Sequence, residues 1–124
     1  MSESKSFDDL QVWQKGKALT LKIHEISSHI PKDDVFGISS QVKRCALSVP
    51  ANIAEGFGRF HYLDKAKFYL NARGSLYELK SHLLIARELG FLKDDTANDS
   101  FDLIEQLSLQ INNLIKATRR LKAG

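Results

Sequence analysis

The side chains best suited to catalysis or metal binding in this sequence are one cysteine and four histidines. His24 and His29 are five residues apart, so on a helix they lie on different faces, unlike the i, i+4 pair of a zinc helix. Glu78 and His82 do share a helical face. However, the Glu-x-x-His motif of carboxylate-bridged di-iron bundles does not occur in the chain. We therefore expect Glu78 and His82 to form a solvated surface pair that binds no metal.

Cys45 falls on an apolar helical stripe, which favours an inert core thiol. Because it is the sole cysteine, the sequence excludes a disulfide framework and predicts no thiolate metal cluster. The segment GFGR at 56–59 reads as a turn, since no strand precedes it as a phosphate-binding loop requires. No nucleophile, base and orienting group occur in a catalytic pattern. The sequence thus predicts a protein that is not an enzyme and needs no cofactor.

Length and composition indicate one ordinary globular domain. The chain has 124 residues, of which 43% are hydrophobic and 27% charged, enough for a single core. Seven glycines and two prolines are too few for the turns of a β-sandwich or barrel. No apolar run is long enough to span a bilayer, and the first residues lack a signal-peptide core, so we expect a cytoplasmic protein without membrane contact. A net charge of +3 permits nucleic-acid binding without demonstrating it.

Apolar residues recur every three or four positions in four segments, which predicts four amphipathic helices. Short gaps between them favour an all-α fold, an antiparallel up-down-up-down four-helix bundle spanning 1–124 as one domain. In the fourth helix, Asn98 or Asp99 is the expected cap, and the buried stripe runs through Leu114 to Leu121. The predicted helices cover approximately 8–30, 38–57, 62–89 and 99–122.

Several residues break the usual rules for helix interiors. Pro50 should remove one backbone hydrogen bond and kink the second helix. Ser48 and Asn52 flank it, and we expect them to satisfy the freed backbone groups. The pair Gly74 and Ser75 leaves a small surface on the third helix, which favours close approach of another helix over a ligand site.

The bundle topology separates the charges along its axis. In an antiparallel bundle, the chain ends and the loop at 56–61 lie at one end, and the loops at 31–37 and 90–98 lie at the other. The first end gathers Arg59, Lys65, Lys67, Lys116, Arg119, Arg120 and Lys122. The second gathers Asp33, Asp34, Asp94, Asp95 and Asp99. We therefore predict a dipolar molecule with one basic end.

Two interpretations of the basic end remain open at equal weight. Acidic residues at helix starts and basic residues at helix ends complement the helix macrodipole, which explains part of the pattern without any ligand. Alternatively, the basic residues bind phosphate. Phe57, Phe60 and Tyr62 beside Arg59 favour this second interpretation, because stacking combined with positive charge suits RNA. The same aromatic residues would also suit a seal at the bundle end or a subunit contact.

Three segments resemble a known family of four-helix-bundle proteins. They are FDDLQVWQKGKAL at 7–19, QVKRCALSVPANIAEGFGR at 41–59 and GSLYELKSHLLIARELGFL at 74–92. The chain resembles the proteins encoded in intervening sequences of bacterial 23S rRNA genes, and it is similar to the accessory variability protein of diversity-generating retroelements. The motif residues shared with the family are Ser48, Pro50, Asn52, Glu55, Gly56, Gly74, Ser75 and Glu78.

The resemblance implies an antiparallel four-helix bundle that assembles into a ring-like homopentamer. Self-association also follows from the aromatic content, because a narrow bundle cannot bury all its aromatic rings. The retroelement relatives bind a reverse transcriptase and nucleic acid through basic surfaces. We therefore expect a non-enzymatic, nucleic-acid-associated oligomer that binds RNA or DNA, with RNA favoured. The alternative is a protein-interaction scaffold or accessory subunit for a partner enzyme such as a reverse transcriptase, without direct nucleic-acid contact.

Overall fold

The computed structural model describes residues 6–121, and every regular element in that range is helical. The absence of strands from this range confirms the all-α prediction, and none of the described helices is long and apolar enough to cross a membrane. The 3-10 helix Phe7–Asp9 comes first. It is followed by α1 (Gln11–Ser27), α2 (Ile38–Phe57), α3 (Tyr62–Glu88) and α4 (Asp94–Arg120).

Helix α1 is shorter than the predicted 8–30. Leu10 adopts an extended conformation that separates the 3-10 helix from α1. The Gln14 side chain donates a 2.7 Å hydrogen bond to the carbonyl of Asp8, and the Phe7 ring packs edge-on against Trp13 with centroids 5.2 Å apart. These contacts fold the N-terminal segment back onto the first turn of α1.

Helix α4 begins five residues before the predicted start at 99, at Asp94. Asn98 and Asp99 therefore lie inside the helix, and the prediction that one of them caps it was wrong. The extra turn is buried through Ala97, and the next inward-facing residue is Ser100; both are inaccessible to solvent. Such small side chains pack in a core but contribute little to an apolar pattern in the sequence.

The end of α4 also departs from the predicted stripe. Leu121 lies beyond the helix and is 61% exposed, so its assignment to the core was wrong. Ile115 is buried instead, and Leu114 packs only partly against the core. Thr118 is buried, with its hydroxyl donating to the carbonyl of Leu114 at 2.8 Å.

The helices share one hydrophobic core, and polar contacts link each helix to its neighbours at the surface of that core. Ser48 of α2 and Ser75 of α3 have their hydroxyl oxygens 2.9 Å apart, and Arg73 of α3 donates to Asn112 of α4 at 3.0 Å. The largest fully buried side chains are Leu19, Ile23, Ile30, Val42, Val49, Ile53, Leu76, Leu79, Leu83, Ile104, Leu107 and Ile111.

Pro50 lies inside α2, where that helix packs closely on α1. A Cβ atom added to Gly16 of α1 would lie 3.4 Å from the Cβ of Pro50, so the two backbones approach closely. Because Pro50 has no N–H, the carbonyl of Ala46 loses its usual helical donor. The hydroxyl of Thr20 lies 3.1 Å from this carbonyl and 2.9 Å from that of Gly16. A side chain of α1 thus satisfies the backbone group that the proline frees.

Ser48 and Asn52 do not take this role, contrary to the sequence prediction. The Asn52 amide donates to the carbonyl and the hydroxyl of Ser48, at 2.8 and 3.0 Å. Ser48 in turn contacts Ser75. These two residues therefore hold α2 against α3 and leave the Ala46 carbonyl to Thr20.

The motif glycines Gly56 and Gly74 have different surroundings. A Cβ atom on Gly56 would lie 2.5 Å from Cε1 of Tyr69, so this close approach of α2 and α3 requires glycine. By contrast, a Cβ atom on Gly74 would meet no atom within 4 Å. Of the pair predicted to let another helix approach, Ser75 therefore lies against α2, whereas no helix of the described chain packs on Gly74.

The pairing of Thr20 with the Ala46 carbonyl predicts a coupled effect of two substitutions. Thr20→Val keeps the side-chain shape and should lower the free energy of unfolding by about 1 kcal/mol, because it leaves a buried carbonyl without a donor. In a Pro50→Ala background the restored N–H bonds Ala46, and Thr20→Val should destabilise the protein much less. Urea unfolding of the four proteins in a double-mutant cycle measures this coupling. Additive effects of the two substitutions would contradict the assignment.

Candidate functional site

Two of the predicted basic residues, Lys67 of α3 and Arg119 of α4, line one groove. The groove has a volume of about 520 Å³, and its walls combine these cations with the ring of Tyr62 and the side chains of leucines. We call it the basic groove. Its lining residues are Tyr62, Leu63, Ala66, Lys67, Leu70, Asn71 and Arg119. A groove that combines cations with apolar and aromatic side chains suits an anionic ligand that also has a flat apolar face.

Arg59 and Lys65 were predicted to belong to the same basic surface, but both are engaged within the protein. The Arg59 guanidinium lies 3.2 Å from the Glu55 carboxylate and 4.7 Å from the centre of the Phe68 ring. The Lys65 amine donates to the carbonyl of Phe57 at 2.8 Å, and burial lowers the pKa of this amine. Lys65 therefore caps the end of α2, because carbonyls at a helix C-terminus attract cations.

The remaining predicted basic residues lie on or beyond the last turns of α4. Lys116 and Arg120 are exposed on α4, close in sequence to Arg119. Lys122 lies outside the described residues. Of the predicted basic residues, the structure thus places Lys67 and Arg119 in the basic groove.

Part of the acidic set is explained by helix capping. The carboxylate of Asp34 accepts the N–H groups of Phe36 and Ile38 at 3.2 and 3.1 Å, at the point where α2 begins. Gly37, between them, has a φ of +64°, a conformation that glycine adopts without strain. Asp95 accepts the N–H of Thr96 at 2.8 Å in the first turn of α4. The macrodipole interpretation therefore holds for Asp34 and Asp95, which serve the helix starts.

Aromatic side chains near the basic groove differ widely in exposure. Phe60 is 90% exposed and packs edge-on against His61, with ring centroids 5.1 Å apart. Phe57 and Tyr62 are half-buried. His61 is the N-cap residue of α3, but its side chain makes no capping hydrogen bond. An exposed aromatic ring thus stands in the α2–α3 loop, which precedes the residues of the basic groove.

A second group of functional side chains lies where α2 meets the middle of α3. We call it the thiol cluster, and it consists of Arg44, Cys45, Glu78 and His82. Nη2 of Arg44 is 2.7 Å from Oε2 of Glu78 and 3.6 Å from the sulfur of Cys45. Nε2 of His82 is 3.4 Å from the same Glu78 oxygen. The thiol, carboxylate and imidazole donor atoms all lie within 4.8 Å of one another.

The protonation states in the thiol cluster follow from burial and hydrogen bonding. Burial, and then the hydrogen bond to Glu78, raises the pKa of the Cys45 thiol to about 11. The hydrogen bonds from Cys45 and Arg44 lower the pKa of Glu78. The thiol is therefore protonated near neutral pH, and it lies beside a carboxylate that pairs with a guanidinium.

The sequence identifies Cys45 and the Glu78–His82 pair but does not place them together. The prediction of a buried core thiol is confirmed, since Cys45 is inaccessible to solvent. The predicted surface pair of Glu78 and His82 is present, with Glu78 about half exposed. The pair is not isolated, because Glu78 also bonds Arg44 and lies near Cys45. The register of α2 against α3 decides this contact. The sequence contains two local signals of the thiol cluster. Arg44 is adjacent to Cys45 in α2, and Glu78 and His82 are four residues apart in α3.

The family resemblance seen in the sequence is confirmed by comparison with known proteins. Residues 8–113 match the family model described as 23S rRNA-intervening sequence protein. The chain is also similar to the crystal structure of a protein with unknown function from the S23 ribosomal protein family, from Bacteroides thetaiotaomicron. The TM-score is 0.79 at 17% identity, over 85% of this chain and 98% of that chain. At this identity the likeness shows the fold alone. No curated protein matches the chain.

The raised pKa of Cys45 predicts a slow reaction with thiol reagents. Relative to the ordinary value of 9.0, a pKa of about 11 leaves a hundredfold smaller thiolate fraction near neutral pH. With a bulky aromatic disulfide reagent near about pH 8, the native protein should react at least ~100-fold more slowly than the urea-unfolded protein. Cys45→Ser supplies the reagent blank. Equal rates in the native and unfolded proteins would contradict the buried, protonated thiol.

Proposed function

Since the chain belongs to the 23S rRNA-intervening sequence protein family, we propose that it is a non-enzymatic protein that binds nucleic acid, RNA in preference to DNA, as a homo-oligomer. The observation that carries this proposal is the basic groove, which Lys67, Arg119 and Tyr62 line together. We also propose a cytoplasmic location, which fits the free thiol of Cys45.

Two kinds of contact would hold the nucleic acid in the basic groove. Lys67 and Arg119 would bind phosphates, and such contacts carry no sequence information. The ring of Tyr62 would stack on a base, a contact that every base permits. Stacking needs a base whose face is accessible, so unpaired nucleotides suit the groove better than a duplex. Single-stranded or looped RNA is therefore the favoured ligand of the basic groove.

We infer that the four helices run antiparallel, up-down-up-down. The order of the contacts between helices supports this arrangement. Along α1 and α2, the successive residues Gly16 and Thr20 approach Pro50 and Ala46, in decreasing order. Along α3 and α4, Arg73 contacts Asn112 and Lys80 contacts Glu105, again in reverse order. In such a bundle the ends of α2 and α4 and the start of α3 lie at one end of the molecule.

Self-association of the protein is supported by an apolar surface on α3. Tyr77, Leu84 and Ile85 are 53%, 37% and 48% exposed. A Cβ atom on Gly74, one turn before Tyr77, would meet nothing within 4 Å, which leaves room for the backbone of a second protomer. Exposed apolar surface of this kind marks interfaces. We propose a ring-like homopentamer, in which the net charge of +3 per chain would be multiplied.

The alternative function is that of a scaffold or accessory subunit for a partner enzyme such as a reverse transcriptase. The exposed side chains of Phe60 and Leu63, 90% and 67% accessible, favour a protein partner near the basic groove. The two functions differ in their response to salt. Phosphate binding weakens steeply as salt rises, because it releases counterions, and an apolar contact does not.

Charge reversal at the end of α4 tests the nucleic-acid function. Arg119→Glu with Arg120→Glu should lower the affinity for a looped RNA by at least about tenfold, and the salt slope should shrink by roughly one unit per lost phosphate contact. Electrophoretic shifts at several salt concentrations measure both quantities. The matched control is Lys32→Glu with Lys93→Glu, which makes the same change in net charge at two exposed residues outside the basic groove.

The Lys32/Lys93 control variant should keep most of the RNA affinity of the parent protein. Equal binding by the parent and the Arg119/Arg120 variant would refute a role for the basic groove. If both double variants lose the same amount of RNA affinity, the loss follows from the net charge of the protein and not from the basic groove. If the parent binds neither RNA nor DNA at low salt, the scaffold function replaces this proposal.

The outward face of α3 yields a prediction about assembly. Tyr77→Glu with Leu84→Glu should convert the oligomer into a monomer, because two charges would be placed in the proposed apolar interface. Leu21→Glu with Leu109→Glu is the matched control, since these leucines of α1 and α4 are 61% and 64% exposed. Sedimentation at tens of micromolar measures the mass of each protein. A monomeric parent, or an unchanged oligomer in the double variant, would contradict the α3 interface.

A further inference from the structure

We propose that Cys45, Glu78 and His82 form a binding site for a borderline divalent transition metal, Zn²⁺ or Co²⁺. The three residues come from two helices, and their sulfur, oxygen and nitrogen donor atoms lie within 4.8 Å of one another. This site is separate from the basic groove, which none of the three residues lines. The metal proposal therefore does not depend on nucleic-acid binding.

The geometry of the thiol cluster is close to that of a metal-bound state. Ligand atoms at ~2.0–2.3 Å from a tetrahedral Zn²⁺ are separated from one another by roughly 3.3–3.8 Å. Nε2 of His82 already lies 3.4 Å from Oε2 of Glu78. The sulfur of Cys45 lies within 4.8 Å of both of these donor atoms. Small side-chain rotations would bring all three donors to one ion, while the two helices keep their backbone positions.

The donor types decide which class of metal fits. A thiolate and an imidazole are ligands that Zn²⁺ and its neighbours prefer, whereas Mg²⁺ and Ca²⁺ take oxygen ligands. With Cys45, Glu78 and His82 as three protein ligands, a fourth position remains for water. On binding, the Cys45 sulfur forms the metal bond as a thiolate and its proton passes to solvent.

Arg44 shows where the metal would lie. Its Nη2 atom lies 2.7 Å from Oε2 of Glu78 and 3.6 Å from the sulfur of Cys45. This guanidinium is thus a cation in contact with two of the three proposed ligands, as a metal ion would be. Arg44 also donates to Gln41 at 2.7 and 3.1 Å, so it keeps a partner when it leaves Glu78. Metal binding and the Arg44–Glu78 ion pair are therefore mutually exclusive.

The site can be reached from solvent on the side where Arg44 lies. The side chains of Arg44 and Glu78 are 58% and 46% exposed, and that of His82 is 25% exposed. Cys45 itself is inaccessible to solvent. A small ion can therefore enter once Arg44 moves aside, and a bulky thiol reagent cannot.

Titration of the full chain with Co²⁺ under anaerobic conditions tests the proposal. The parent protein should develop a thiolate-to-cobalt charge-transfer band, which added Zn²⁺ abolishes. Cys45→Ser should remove the band, and His82→Gln should weaken binding by at least about tenfold, since even indirect partners of a metal are worth 10- to 100-fold in affinity. His29→Gln is the matched control, because His29 is exposed and lies outside the cluster.

The variant Arg44→Gln distinguishes the proposed site from adventitious metal binding elsewhere on the protein, which removal of Arg44 would leave unchanged. Removing a cation that lies 2.7 Å from Glu78 and 3.6 Å from the sulfur of Cys45 should tighten Co²⁺ binding by about tenfold or more. Circular dichroism establishes that each variant is folded. The proposal is overturned if neither the parent nor Arg44→Gln shows the band, or if Arg44→Gln leaves the affinity unchanged. It is equally overturned if His29→Gln weakens binding as much as His82→Gln.

Discussion

Pro50 deprives the Ala46 carbonyl of its helical donor, and Thr20 of α1 supplies the missing hydrogen bond from outside α2. Pro50 also packs on the bare backbone of Gly16, so α1 and α2 meet in one defined register. This register turns the opposite side of α2, which carries Ser48, towards α3. The positions of the remaining helices depend on it, since α4 packs on both α1 and α3.

The contact between α2 and α3 combines structural and functional roles along its length. Gly56 and Lys65 close it at the end of α2, Ser48 and Ser75 hold its middle, and the Arg44–Glu78 ion pair lies farther along. Because both partners of that pair are about half exposed, it contributes little stability on its own. The weak pair can therefore be exchanged for another cation without loss of the fold.

The sequence predicted α2 well and α4 poorly, for physical reasons. Gly37 and Gly58 bracket a clear apolar stripe in α2, whose observed bounds are the predicted ones. The first two turns of α4 are buried through Ala97 and Ser100, which no apolar pattern reveals. The thiol cluster lay beyond prediction for a different reason: it depends on the register between two helices. Spacing within one helix places Glu78 near His82, but it contains no information about Cys45.

Trp13 is the sole tryptophan of the chain, half-buried at the start of α1 beside Phe7 and within 6.0 Å of the Lys17 amine. Its indole emission therefore reports the docking of the N-terminal segment onto α1. Neither the thiol cluster nor the basic groove includes it. Trp13 also packs against the hydrophobic core, so an unfolding curve followed by intrinsic fluorescence registers both the release of Phe7 from the indole and the loss of this core contact. Comparing that curve with one followed by circular dichroism would separate the local contact from the loss of the helices as a whole.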